Sequence, residues 1–183
     1  GDPSRSAHAM KAEAPCLDPI DKPRLKTLGW QDRVLLAPMS GVTDRPFRDY
    51  IRAQGQGQVV TEMIASEAAI RKVKDSRKLN QAIDDEPGII VQLAGTEPAL
   101  IAEAARIMEA RGAHTIDLNF GCPARKVVTK ASGSALMRDE ALCADIFTVV
   151  RAAIDVPLTV KMRLGWDDDT FNAPKLARLA EET

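Results

Sequence analysis

The chain has 183 residues, enough for one domain with a substantial core, and a formal net charge of −1. Its 45% hydrophobic and 28% charged residues are ordinary for a globular protein. No apolar run approaches the ~20 residues a bilayer-spanning helix needs, which predicts no membrane partner, and the charge lacks the basic excess of a generic nucleic-acid binder.

The first residues, GDPSRSAHAMKAEAPCLDP, are rich in Pro, Ala, Ser and charge and contain no apolar core of a secretory signal. They predict a flexible tail over 1–25. The three cysteines, Cys16, Cys122 and Cys143, form no C-x-x-C pair. An odd, sparse set argues against a disulfide framework and a structural zinc site and for a reducing compartment, hence a cytoplasmic protein without metal.

After Trp30 the chain alternates between two periods. Val34 to Ala37 is a short apolar run closed by Pro38, a buried strand. Thr43 or Asp44 can cap a helix with Pro46 in its first turn and a stripe of Phe47, Tyr50 and Ile51, ended by Gly55 and Gly57. Val59-Val60 opens a second strand, and a highly charged helix is expected from Ser66 to about Asn80. Ile89 to Leu93 is a third strand, and a helix from Thr96-Glu97-Pro98 stops at Gly112. Thr115 to Asn119 is a fourth strand. Asp139 caps a helix with Leu142, Ile146, Val149 and Val150 on one face and Cys143 beside them as core filler. Pro157 introduces a fifth strand, Leu158 to Met162, and a last helix is expected from near Thr170.

Five β-α units with near-continuous apolar strands predict a parallel sheet, compatible with a doubly wound sheet or a TIM (β/α)8 barrel. No G-x-G-x-x-G follows the first strand, which weakens the dinucleotide fold. Side-chain parity favours the barrel. Asp117 and Asn119 share one face of the fourth strand, and Thr159, Lys161 and Arg163 one face of the fifth. Gln92 lies near the end of the third strand, and Glu62 just after the second. Burying such groups costs free energy unless each is partnered, and they gather at the C-terminal strand ends, the active-site face of a barrel. Mutual pairing that merely closes the barrel top is the plainer reading. Basic residues cluster at Arg71, Lys72, Lys74, Arg77 and Lys78, which a solvated helix face explains, and at Arg125, Lys126 and Lys130.

Four stretches, APMSGVTDRPFR (37–48), VQLAG (91–95), DLNFGCPARKVVTKASGSALM (117–137) and VKMRLGW (160–166), occur in that order. Over about residues 26 to 183 the chain resembles the tRNA-dihydrouridine synthases, close to their bacterial B-type branch. The resemblance implies an FMN-binding TIM barrel followed by a small helical domain, and reduction of the C5–C6 double bond of selected uridines in tRNA with NADPH as the reductant. By position, Pro38, Met39 and Ser40 would line the flavin, Gln92 would hydrogen-bond the isoalloxazine edge, and Lys161 would sit near its polar end to stabilise reduced FMN. Cys122 resembles the family's general acid, which must stand within hydrogen-bond reach of C5 on the substrate side. A free thiol, with a pKa of ~8.5, is mostly protonated near neutral pH. Gly121 and Pro123 would shape the turn that aims it. Asn119 would hydrogen-bond the uracil edge, Arg163 the base or adjacent phosphate, and Lys126 and Lys130 phosphates of a nucleotide drawn out of the stack.

A flavin barrel acting on a free small molecule, as a dihydroorotate dehydrogenase does, would share the barrel, the flavin and a lysine but not the Gly-Cys-Pro loop. A non-catalytic RNA-binding module would not require Cys122 and Lys161. Since a TIM barrel needs eight βα units and ~250 residues, residues 26–183 are expected to be the N-terminal portion of the barrel, the first five units, with the remaining strands and the helical domain absent and the piece inactive alone.

Overall fold

The computed structural model describes residues 28–30, 34–55, 57–73, 83, 85–124, 127 and 131–183. The tail expected over 1–25 lies outside them. In chain order the elements are β1 (Leu35–Leu36), α1 (Arg45–Gln54), β2 (Gln58–Val59), β3 (Ile64–Ala65), α2 (Ser66–Val73), β4 (Ile90–Ala94), α3 (Pro98–Ala110), β5 (Thr115–Phe120), a 3-10 helix (Gly133–Arg138), α4 (Glu140–Arg151), β6 (Leu158–Met162) and α5 (Ala173–Glu181).

Every pairing is parallel. β1 pairs with β2, and β3, β4, β5 and β6 pair in sequence order. A parallel bridge from Val60 to Ile90 joins the two groups. The expected second strand is thus two pieces of one path, β2 turned to β1 and β3 turned to β4. Among the described residues strand order never reverses, as it does at the switch point of a doubly wound sheet, and β1 and β6 each have a single partner.

Alternation sorts the strand residues between two faces. Val91, Leu93, Ile116, Leu118 and Phe120 join one buried cluster with Ile101, Ala105 and Met108 of α3 and Cys143, Ile146, Phe147 and Val150 of α4. The rings of Phe120 and Phe147 stack at 5.2 Å between centroids. Leu158, Val160 and Met162 pack against this cluster but stay half-buried, since among the described residues β6 is flanked by β5 alone.

Local chemistry sets the helix ends. Asp44 is the cap of α1, its carboxylate accepting from the Phe47 N–H at 3.1 Å. Asp139 caps α4 through the Leu142 N–H at 3.0 Å. Gly112, at φ 94°, turns the chain after α3. Three expectations need correction. The first strand, expected to be buried, is exposed at Val34, Leu35 and Ala37, because β1 is two residues long and pairs only with β2 among the described residues. Tyr50 is 60% exposed and Phe47 only half-buried, so of that stripe Ile51 alone packs against the core cluster among the described residues. The last helix begins at Ala173 because the Thr170 N–H and hydroxyl are both taken by Asp167 in a preceding turn. That turn comes so close to Gly165 that a Cβ there would collide with the Thr170 carbonyl.

Cys143 is the core filler expected. It is fully buried, its thiol donates to the Leu136 carbonyl at 3.2 Å, and burial, with Asp139 and Glu140 nearby, pushes its pKa up to about 12.

A buried ion cluster locks α1 to the entry of β4. Arg48, 2% exposed, forks onto Glu86 with Nε–Oε1 at 2.8 Å and Nη2–Oε2 at 2.6 Å. Its Nη1 donates to the Thr43 carbonyl at 2.7 Å, and Arg52 adds a third donor to Glu86.

Candidate functional site

The face of β4, β5 and β6 opposite the helices is polar toward its C-terminal end. In register, Gln92 lies beside Asp117 and Asp117 beside Thr159; one layer on, Asn119 lies beside Lys161. The parity read from the sequence therefore puts these residues on one surface. Lys161 is exposed, Thr159 half-buried, and Gln92, Asp117 and Asn119 are buried at 0%, 7% and 8% exposure.

The three buried groups form one continuous chain. The Thr159 hydroxyl donates to Asp117 Oδ1 at 2.7 Å, and Gln92 Nε2 donates to Asp117 Oδ2 at 2.7 Å. Asn119 Nδ2 donates to Gln92 Oε1 at 2.7 Å. Asn119 Oδ1 accepts the N–H groups of Gly121, at 3.3 Å, and Cys122, at 3.0 Å. Burial raises the Asp117 pKa above the usual carboxylate range, against the bonds from Gln92 and Thr159 and the charge of Lys161, which pull it down.

Cys122 stands half-buried at the end of this chain. Its carbonyl accepts both the N–H and the hydroxyl of Ser134, each at 3.1 Å. Gly133 makes that approach possible. Its φ is 63°, and a Cβ there would lie 2.6 Å from the Cys122 oxygen. The backbone constraint on the cysteine thus falls on Gly133. A Cβ at Gly121 would meet only ordinary contacts, the nearest being Arg163 Cγ at 3.6 Å.

The loop after β1 places Pro38 half-buried and Met39 and Ser40 exposed. Thr43, fully buried, closes it: its N–H and hydroxyl donate to the Met39 carbonyl at 2.9 and 3.2 Å, and its Oγ1 accepts the Met39 N–H at 3.0 Å. The loop reaches the polar chain in three steps. Gly41 N–H donates to the Glu62 carboxylate, the Thr61 hydroxyl donates to the Glu62 carbonyl, and Thr61 Oγ1 accepts the Gln92 N–H. The sequence put Glu62 just after the second strand; its part in joining the loop to the polar chain is seen only in the structure.

Arg163 is exposed in the loop after β6. That loop is pinned by the Arg138 guanidinium, 4.5 Å over the Trp166 ring. Lys126 and Lys130 lie outside the described residues, as do Lys74, Arg77, Lys78 and Arg125. Arg71 is exposed and paired with Glu67 one helical turn away, as a solvated helix face requires. Among the described residues no His, Cys, Asp or Glu group is arranged for a metal, and no helix is long and apolar enough to cross a membrane.

Parity placed Asp117 and Thr159 on the polar face but gave neither a role, and sequence reasoning missed Gly133 and Ser134 as neighbours of Cys122. Gly133 and Ser134 sit eleven and twelve residues beyond Cys122, and periodicity gives no sign that they return to it.

Residues 35–183 match the family model described as dihydrouridine synthase. The chain is 56% identical over 151 residues to a protein of Rickettsia bellii described as a probable tRNA-dihydrouridine synthase, covering 82% of this chain and 46% of that protein. It is 51% identical over 152 residues to tRNA-dihydrouridine synthase B of Pseudomonas aeruginosa, covering 82% and 46%. A probable tRNA-dihydrouridine synthase of Rhizobium leguminosarum is 49% identical over 151 residues, covering 82% and 47%. The chain spans a little under half the length of these relatives.

Proposed function

We propose, on the premise that the chain belongs to the dihydrouridine synthase family, that it forms the N-terminal part of an FMN-dependent enzyme that reduces the C5–C6 double bond of uridines in tRNA with NADPH. In this reading the parallel wall is the first five units of a TIM barrel, with the site at its C-terminal face. The observation that supports it best is Cys122. Its thiol is carried by a loop fixed on both sides of the residue, by Asn119 and by Ser134, at the end of the strand face that bears Lys161.

The donor set fits FMN. Lys161 supplies an exposed cation on the polar face. Gln92 keeps one N–H and one lone pair beyond its bonds to Asp117 and Asn119, which suits a ring edge of alternating C=O and N–H groups. Pro38, Met39 and Ser40 offer a braced loop beside them. FMN held by these residues and reduced by NADPH would supply the hydride for C6 of the uracil. Cys122 gives its proton to C5, which completes the saturated bond. Asn119 holds the base edge, Arg163 the base or its phosphate, and Lys126 and Lys130 the tRNA backbone.

In the protein that carries this sequence, Cys122→Ala should retain FMN and NADPH oxidation while dihydrouridine formation falls by ~10²–10⁴-fold, the range of a lost general acid. Mapping dihydrouridine in tRNA tests this. Wild-type levels with the alanine variant would remove Cys122 from the reaction.

A further inference from the structure

The hydrogen bonds from Thr159 to Cys122 run in one direction, and their ends decide it. At one end, the backbone N–H groups of Gly121 and Cys122 can only donate. At the other, the two Asp117 oxygens accept from Thr159 and Gln92. The two amides between them, Gln92 and Asn119, must each turn oxygen toward the cysteine loop and nitrogen toward Asp117. Turning either one over would set donor against donor and acceptor against acceptor in a buried place.

This direction has a consequence for the exposed side of the chain. Asn119 Oδ1 spends both lone pairs on backbone N–H groups, and Nδ2 spends one hydrogen on Gln92. What is left is a single N–H. We propose that Asp117 is a positioning residue which, through Gln92, fixes Asn119 so that it meets the substrate base only as a donor, and therefore at a carbonyl oxygen. This deepens the proposed function and rests on it. A ring N–H or an exocyclic amino group brought to the same point would face a second donor.

The test reverses the chain. Asn119→Asp alone keeps the bonds to the cysteine loop but sets a carboxylate oxygen against Gln92 Oε1. If Gln92 turns over, its oxygen meets Asp117 instead. The unfolding constant of this variant should rise about 10- to 100-fold, as for buried groups left unpaired. Adding Asp117→Asn restores every partner with the direction reversed. Asn at 117 accepts from Thr159 and donates to Gln92, and Gln92 donates to the new carboxylate. The double variant should regain an unfolding constant within about threefold of wild type. Its kcat/KM for tRNA should nonetheless stay at least about 100-fold down, because position 119 no longer has an N–H to offer. Where Asn119→Asp yields no folded protein, recovery of folded protein in the double variant is the same result. A double variant no more stable than Asn119→Asp would overturn the coupling. A stable double variant that reduces tRNA at the wild-type rate would overturn the donor role of Asn119. A wild-type protein that reduces no tRNA would instead refute the proposed function, and the stability comparison would still decide the coupling.

Discussion

Asp117 is a buried carboxylate whose ionised form comes at a cost to the fold. Burial raises its pKa, so between the unfolded and folded values the native state holds the proton more tightly than the unfolded chain does. Its contribution to stability therefore falls as pH rises through that window, and the loss is complete above the folded value. Asp117→Asn cannot titrate. The difference in unfolding free energy between variant and wild type, measured in urea from about pH 4 to pH 8, should shift in favour of the variant as pH rises from the ordinary carboxylate range of ~3.9. A pH-independent difference would mean that Asp117 titrates alike in both states. The residue itself was legible only in part. Parity placed Asp117 on the face of Asn119, and Lys161 on the face of Thr159, and the register confirms both placements. Which of these groups bond to one another depends on register between strands 25 and 42 residues apart, and no local pattern encodes that.

Between elements, the strongest fixed point is Arg48 with Glu86. The motif TDRPFR reads locally as a helix start, and in the structure every polar side chain in it has a partner. Thr43 closes the loop of Met39, Asp44 caps α1, Arg45 pairs with Asp49, and Arg48 reaches Glu86. Glu86 is 4% exposed and accepts from both Arg48 and Arg52. Glu86→Ala would remove the carboxylate on which the buried Arg48 guanidinium forks. Removing one partner of a buried pair costs about 3–5 kcal/mol, and chemical denaturation should show a loss of that size, with the loop of Pro38 to Ser40 loosened as well. A cost below about 1 kcal/mol, the level of a surface pair, would show that Arg48 reaches solvent. The hydrophobic patterns located α3, α4, β4, β5 and β6 within a few residues, because each carries a complete stripe or alternation. They missed the division of the second strand into β2 and β3 and the 3-10 helix at Gly133–Arg138. Those features arise from what the segments touch, namely β1 and β4 for the strand pieces and the Cys122 carbonyl for the 3-10 helix.

For the molecule as a whole, the parallel order determines where chain can still add. β5 is paired on both sides and every residue in it is buried, whereas β6 has one partner among the described residues and none of its residues is fully buried. At the other end, β1 is two residues long, Val34 is 64% exposed and Leu35 38%. Unpaired apolar strands invite pairing with another chain. In the closed barrel proposed here, further strands would cover both edges. Prepared as an isolated 183-residue polypeptide, the chain should therefore self-associate or aggregate and hold FMN poorly, since in such barrels the phosphate is commonly gripped by loops after the seventh and eighth strands. Size-exclusion chromatography with light scattering reads the first outcome, and flavin absorbance per mole of protein the second. A yellow, monodisperse monomer with one FMN per chain would mean that the two edges are protected without additional strands, and the closed-barrel reading would then have to be abandoned.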